Sequence, residues 1–194
     1  GWALAYLTST DLAAKLNPGA PPEVLEERAP ARRIAPGRPA ELRAGSIRRR
    51  PLTVGRLGHA SRRAELLHTF FHHELQAAEL FAWAILAFPE APAAFRRGLA
   101  RILLDEARHM RLYAERIAAL GSHLGAFPVR DWFWERVPAV TTPAAFVATL
   151  GMGFEGANLD HATRIAELLE AAGDGESAAL QRRVAHEEVP HAAF

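Results

Sequence analysis

The sequence predicts an all-α protein: an antiparallel four-helix bundle with one long crossover, preceded by an N-terminal arm rich in proline and arginine. Three observations predict it. Apolar residues recur at helical spacing through four long stretches. Pro89, Gly121 and the run Gly173-Asp174-Gly175 punctuate those stretches where helices should stop. Each stretch also has its apolar stripe interrupted by one glutamate, at a spacing that occurs twice.

Residues 1–58 read as the arm. One short helix is expected within residues 1–17, capped by Thr10 or Ser9, with Leu7, Leu12 and Leu16 as its apolar side. Asn17-Pro18-Gly19 ends it. Pro18, Pro21, Pro22, Pro30, Pro36, Pro39 and Pro51 then favour loops, with a turn or two of amphipathic helix near Pro22–Arg28. Residues 59–194 read as the bundle. Its first helix is expected from Ser61 to Phe88; Leu80, Phe81, Trp83, Ile85 and Leu86 make its end apolar on more than one face, which calls for burial in the bundle or against the arm. The second runs from Pro92 to Leu120, and the short link makes the two antiparallel neighbours. Residues 121–142 are the crossover, with an aromatic cluster of Phe127, Trp132, Phe133 and Trp134 and one helical turn at Asp131–Arg136. At ~3.3 Å per residue this length can span a bundle. The third helix is expected from Pro143 to Ala172, capped by Thr141 or Thr142; Gly151, Gly153 and Gly156 weaken it by about 1 kcal/mol each relative to Ala. The fourth begins near Glu176 and reaches Phe194. His191 lies three residues from that end, and bundle helices ordinarily run past their ligands, so the sequence reads as a bundle cut short.

The repeated spacing carries the chemistry. Glu74 is followed 32 residues later by Glu106-Ala-Arg-His109, and Glu155 is followed 33 residues later by Glu188-Val-Pro-His191. Positions i and i+3 share a helix face, so each Glu-x-x-His can address one ion. A glutamate from each of two helices plus a Glu-x-x-His from each of the other two is the inward-facing dimetal site of ferritin-like bundles. One such motif alone is usually a solvated charged face. Here four carboxylates interrupt four apolar stripes, and buried carboxylates without partners would rather be protonated than charged. Mixed oxygen and nitrogen donors suit two Fe ions, with Mn/Fe or Mn/Mn as alternatives. Glu79 could replace Glu74, but its spacing to Glu106 fits the second half less well. Pro190 lacks an N–H and should clash with the preceding turn, so the fourth helix kinks or His191 gives way to His186.

Composition narrows the classes. The chain has 194 residues, 49% hydrophobic and 23% charged, with no apolar run near the ~20 residues of a membrane span. There is no cysteine, which excludes disulfides, thiolate zinc, iron–sulfur clusters and a built-in rubredoxin-like centre. Electrons must come from a separate donor protein or a small reductant. No basic n-region opens the chain, so a cytoplasmic location is expected. The net charge of +1 hides a division: residues 1–58 carry nine Arg and Lys15 against five acids. The Arg48-Arg49-Arg50 cluster is the sharpest basic feature.

The stretch His72-His73-Glu74-Leu75-Gln76-Ala77-Ala78-Glu79-Leu80-Phe81-Ala82-Trp83-Ala84, with DEARH at 105–109 and Glu155-Gly-Ala-Asn-Leu-Asp160, resembles the ferritin-like domain-of-unknown-function 455 family. The resemblance extends to Ser9-Thr10-Asp11-Leu12 and Gly37-Arg38-Pro39. It implies a ferritin-like bundle and supplies no reaction. DEARH is also similar to the Asp-Glu-x-Arg-His motif of bacterial di-iron monooxygenases. That resemblance implies that Asp105 orients His191 and, by internal symmetry, that Glu187 orients His109. Tyr113 follows His109 at a spacing similar to that of the radical tyrosine of class I ribonucleotide reductase, although a tyrosine there is usually simply core.

These observations lead to one expectation and two rivals. The first is a di-iron (or Mn/Fe) oxidase or hydroxylase that uses O2 on an unknown organic substrate, with Glu106 and Glu188 bridging and Glu74, Glu155, His109 and His191 as terminal ligands. The second is iron handling: ferroxidase, storage or peroxide removal. The third is an RNA-binding module using residues 38–56. A homodimer is compatible with all three.

Overall fold

In the computed structural model, residues 1–23, 29–42, 44–45, 52–150, 156–192 and 194 are described, without the side chains of 156–160 and 192. The elements are α1 (Trp2–Thr8), α2 (Leu12–Leu16), α3 (Val54–Leu57), α4 (Ala60–Ala87), α5 (Ala93–Ala119), a 3-10 turn (Val137–Ala139), α6 (Pro143–Val147), α7 (Gly156–Ala171) and α8 (Gly175–Ala192). Extended pairing among the described residues is a single parallel bridge between Ala44 and Val129. The protein is all-α.

Helices α4 and α5 form a hairpin. Pro89 cannot continue α4, and the chain folds back through residues 88–92. The Phe70 ring stacks on Tyr113 at 5.9 Å, and one turn along Glu74 faces His109, so the two run antiparallel. The stripe Leu99, Leu103, Glu106, Met110, Tyr113 and Ile117 on α5 is wholly buried, as is Leu67, Phe70, Glu74, Ala78, Phe81 and Ile85 on α4. Helix α5 closes with Gly121 at φ +77°: Gly121 N–H donates to Ala118 O at 2.9 Å and Ser122 N–H to Ile117 O at 3.1 Å, the paired bonds of a Schellman end. Gly173, at φ +80°, ends α7 in the same way, with bonds to Glu170 O and Leu169 O at 2.9 Å. Asp174 then caps α8 by accepting Ser177 N–H at 3.0 Å. It also receives Arg116 from α5 at 2.7 Å and Arg63 from α4 at 2.8 Å. Helix α7 packs along α8, and α8 against α5. Arg116 bonds Ser177 at 2.9 Å, and two turns or more away Asp105 meets His191 at 3.3 Å. Helices α5 and α8 are therefore antiparallel.

The arm differs from expectation. It opens with two helices, and Asp11, not Thr10 or Ser9, caps α2 by accepting Ala13 N–H at 2.9 Å. A carboxylate closer to the helix start simply outcompetes the hydroxyls. Ala3, Tyr6, Leu7 and Leu42 join the same core cluster as α4 and α5, which explains why the end of α4 is apolar on several faces. In the crossover, Glu135 N–H donates to Asp131 O at 2.9 Å, making the expected turn. Thr142 caps α6 through Ala145 N–H at 3.1 Å. Residues 148–150 then widen into a π-type turn. Gly151 and Gly153 lie outside the described residues, as do most of Pro22–Arg28 and Arg48–Arg50.

Candidate metal centre

Glu74 enters from α4, Glu106 and His109 from one face of α5, and Glu188 and His191 from one face of α8. All five side chains are buried, and Glu106 and His109 have no exposure at all. One ligand atom from each of Glu74, Glu106, His109 and Glu188 lies within 4.8 Å of the others, a group that could hold a metal ion. The arrangement has a division of labour. His109 Nδ1 lies 2.7 Å from Glu188 Oε1, 3.4 Å from Glu106 Oε2 and 3.8 Å from Glu74 Oε2. His191 Nδ1 lies 2.7 Å from Glu188 Oε2 and 3.2 Å from Glu106 Oε1. Each of the two central carboxylates thus turns one oxygen toward each imidazole. The rings themselves stand 6.0 Å apart between centroids.

Helix α8 continues through Pro190 to Ala192, so Pro190 does not carry His191 away, and His186 is exposed. Pro190 has no N–H to donate to the carbonyl four residues earlier, so the turn forgoes one helical bond. The far nitrogens are held from outside. His109 Nε2 meets Glu187 Oε2 at 3.0 Å, and His191 Nε2 meets Asp105 Oδ2 at 3.3 Å. Arg108 joins these two acids: its guanidinium bonds Glu187 and reaches Asp105 Oδ1 at 3.2 Å. Arg183 adds a contact to Glu187 at 3.1 Å. With a carboxylate on each Nε2, each Nδ1 faces the cluster.

The charges fit a site that could hold a cation. Both oxygens of Glu106, Glu188 Oε1 and His109 Nδ1 are enclosed without a hydrogen-bond partner, which is costly for groups that want donors. Burial pushes the Glu74 carboxyl well above the usual range; Glu106 and Glu188 push the same way, against His109. Burial also raises Glu188, but His109 and His191 outweigh it and hold the group low. Burial lowers both imidazoles, yet the carboxylates prevail: His109 is raised, and His191 is pushed up to about 11. Outside, burial raises Glu187, but Arg108, Arg183 and His109 hold it down at about 2.

The family described as "Protein of unknown function (DUF455)" matches residues 5–194. The chain belongs to the DUF455 family. Searches of curated proteins and of solved structures returned no match. The match spans α2 as well as α4, α5 and α8.

Other sequence-selected residues fall in different places. Glu155 lies outside the described residues. Tyr113 is buried one turn beyond His109 and donates to Gln181 Oε1 at 3.1 Å; burial, then Glu74, Glu188 and Glu106, raises its pKa well above the usual value. Glu79 is not at the cluster. It is paired with Lys15 at 3.0 Å and Arg38 at 2.9 Å and accepts Trp134 Nε1–H at 3.0 Å. Arg38, the first basic residue of the 38–56 stretch, is thus used internally. His72 is buried against Asp131 at 3.1 Å, and His161 is exposed. Arg108 is the residue that sequence reasoning passed over, although it stands inside DEARH; its partners are two acids 82 positions apart, visible only once α5 and α8 are side by side.

Proposed function

We propose that the chain is a dimetal carboxylate enzyme on a ferritin-like four-helix bundle to which α4, α5, α7 and α8 belong. Its cofactor would be two iron ions, or a Mn/Fe or Mn/Mn pair, and its activity the O2-dependent oxidation or hydroxylation of an organic molecule. The observation that carries this is the division of Glu106 and Glu188, each turning one oxygen to His109 and one to His191 inside an apolar core. Glu106 and Glu188 would hold the ions between the two imidazoles. His109 with Glu74 would complete one side; His191 and, by the repeat, Glu155 would complete the other. When bound, the ion pair supplies oxygen activation and redox chemistry. The chain's own residues set geometry and access. Glu187 and Asp105 hold the imidazoles by Nε2, and Arg108 fixes both acids at once. Phe70, Leu103, Met110 and Tyr113, all buried, keep water from the ligands. Without cysteine, the electrons come from a separate protein or small reductant.

The experiment is optical. Metal-free chain is given two equivalents of Fe(II) without oxygen, then mixed with oxygen. The reading expects oxygen uptake and a lasting near-ultraviolet absorption from ferric carboxylate. Bound iron that stays ferrous in oxygen, with no new absorption, would remove the oxidase reading while leaving a metal site.

A further inference from the structure

Between α4 and residues 128–132 lies a cavity of about 240 Å³, bounded by Thr69, His72 and His73 on one side and by Pro128, Val129 and Trp132 opposite. Its walls are held in place. Gln76 ties the opposite wall to α4, donating to Arg130 O at 3.2 Å and accepting Phe133 N–H at 3.0 Å. His72 Nε2 meets Asp131 Oδ1 at 3.1 Å, and Arg38 holds the same oxygen at 3.1 Å. The His73 ring stacks on Phe133 at 5.2 Å and stands edge-on to Phe70 at 6.0 Å. A site with walls fixed in advance loses little freedom when a ligand enters.

The chemistry of those walls selects a class of ligand. The charged side chains here are already paired: Arg130 with Glu135 at 3.2 Å, and Asp131 with Arg38. Pro128, Val129 and Trp132 are apolar. A charged ligand would therefore give up its hydration for nothing. The size is below the ~300–1,000 Å³ of drug-sized sites, which suits one ring rather than a nucleotide. One polar requirement remains. His72 uses Nε2 on Asp131, and its Nδ1 is enclosed; His73 Nδ1 is enclosed as well. His73 Nε2 is the nitrogen left to meet a ligand. A ring nitrogen donates or accepts according to where the imidazole proton sits, and a hydroxyl can do either, so it satisfies both forms.

We propose that this cavity binds a small uncharged ring compound bearing a hydroxyl, phenolic in class, with its ring against Val129 and Trp132 and its hydroxyl on His73 Nε2. The site stands on the cavity alone and does not depend on a bound metal.

The test titrates phenol into the full metal-free chain and follows the NMR signals of the His73 imidazole and the Trp132 indole. Both signals should shift saturably. Toluene, the same ring without the hydroxyl, should bind about five- to tenfold more weakly, the loss of one hydrogen bond. His73→Phe should equalise phenol and toluene. Thr69→Phe, at an exposed position on the rim, should abolish binding of both with an unchanged circular dichroism spectrum. Absence of saturable shifts, equal binding of phenol and toluene by the starting protein, or undisturbed binding in Thr69→Phe would each overturn the proposal.

Discussion

Glu79 and Glu74 lie five residues apart on α4, and both are buried. Their surroundings are opposite. Glu79 is met by Lys15 at 3.0 Å, Arg38 at 2.9 Å and the Trp134 indole at 3.0 Å. Lys15 is itself wholly buried and also donates to Leu7 O at 3.0 Å. Glu74, Glu106 and Glu188 meet two imidazoles and, among the described residues, no lysine or arginine. The chain therefore brings fixed cations into its core where a carboxylate is to be neutralised permanently. It withholds them from three neighbouring carboxylates. That difference sets the second cluster, which could hold a metal ion, apart from a structural ion pair.

The contrast can be broken by exchanging one oxygen for an amide. Glu79→Gln leaves Lys15 and Arg38 buried without their anion and should cost about 3 kcal/mol in urea unfolding; adding Lys15→Met should recover much of it. An unchanged midpoint in the single variant would mean that the arm's cations do not stabilise the core. Asp174→Asn weakens the α8 cap and two arginine contacts, and should cost about 2 kcal/mol. Burial raises Asp174, but Ser177 and Arg116 more than offset it and hold it below its ordinary value. Its contribution is thus full above the unfolded pKa of ~3.9 and is lost as pH falls through the lower folded value. The gap between Asp174→Asn and the starting protein should close on acidification; a gap independent of pH would contradict the assignment. Arg108→Leu frees both outer acids and should weaken metal binding about 10–100-fold with little change in helix content; isothermal titration reads this, and unchanged affinity would make the clamp incidental. The smallest effect has the opposite sign. Because burial raises Glu74, Glu74→Gln should stabilise the metal-free chain by about 1 kcal/mol. Destabilisation in a thermal melt would show that its carboxylate already has what it needs.

Much of this was legible in the residues. The long stripes of α4 and α5 and the Glu-x-x-His of α8 fixed which positions face inward, because a helix repeats its geometry over many turns. The pairs Asp105–His191 and Glu187–His109 are implied by the resemblance of DEARH to the di-iron monooxygenase motif and by the internal symmetry. The arm was less legible. α1 has no side-chain cap, and its apolar residues are held by α4, not by local preference. Lys15, on a five-residue helix, looks like a solvent-facing side chain until Glu79 is beside it. Arg38 sits between prolines and gives no periodic signal. Pro190 was legible but misleading, since the helix continues through it with one bond forgone.

The most direct test is metal content. The chain is purified, loaded with Fe(II) or Mn(II) without oxygen, desalted and assayed by mass spectrometry, beside Glu106→Ala and Glu79→Gln. The account predicts two ions per starting chain, nearly none in Glu106→Ala, and two in whatever Glu79→Gln remains folded. Equal metal content in the starting protein and Glu106→Ala, or no bound metal in either, would contradict it.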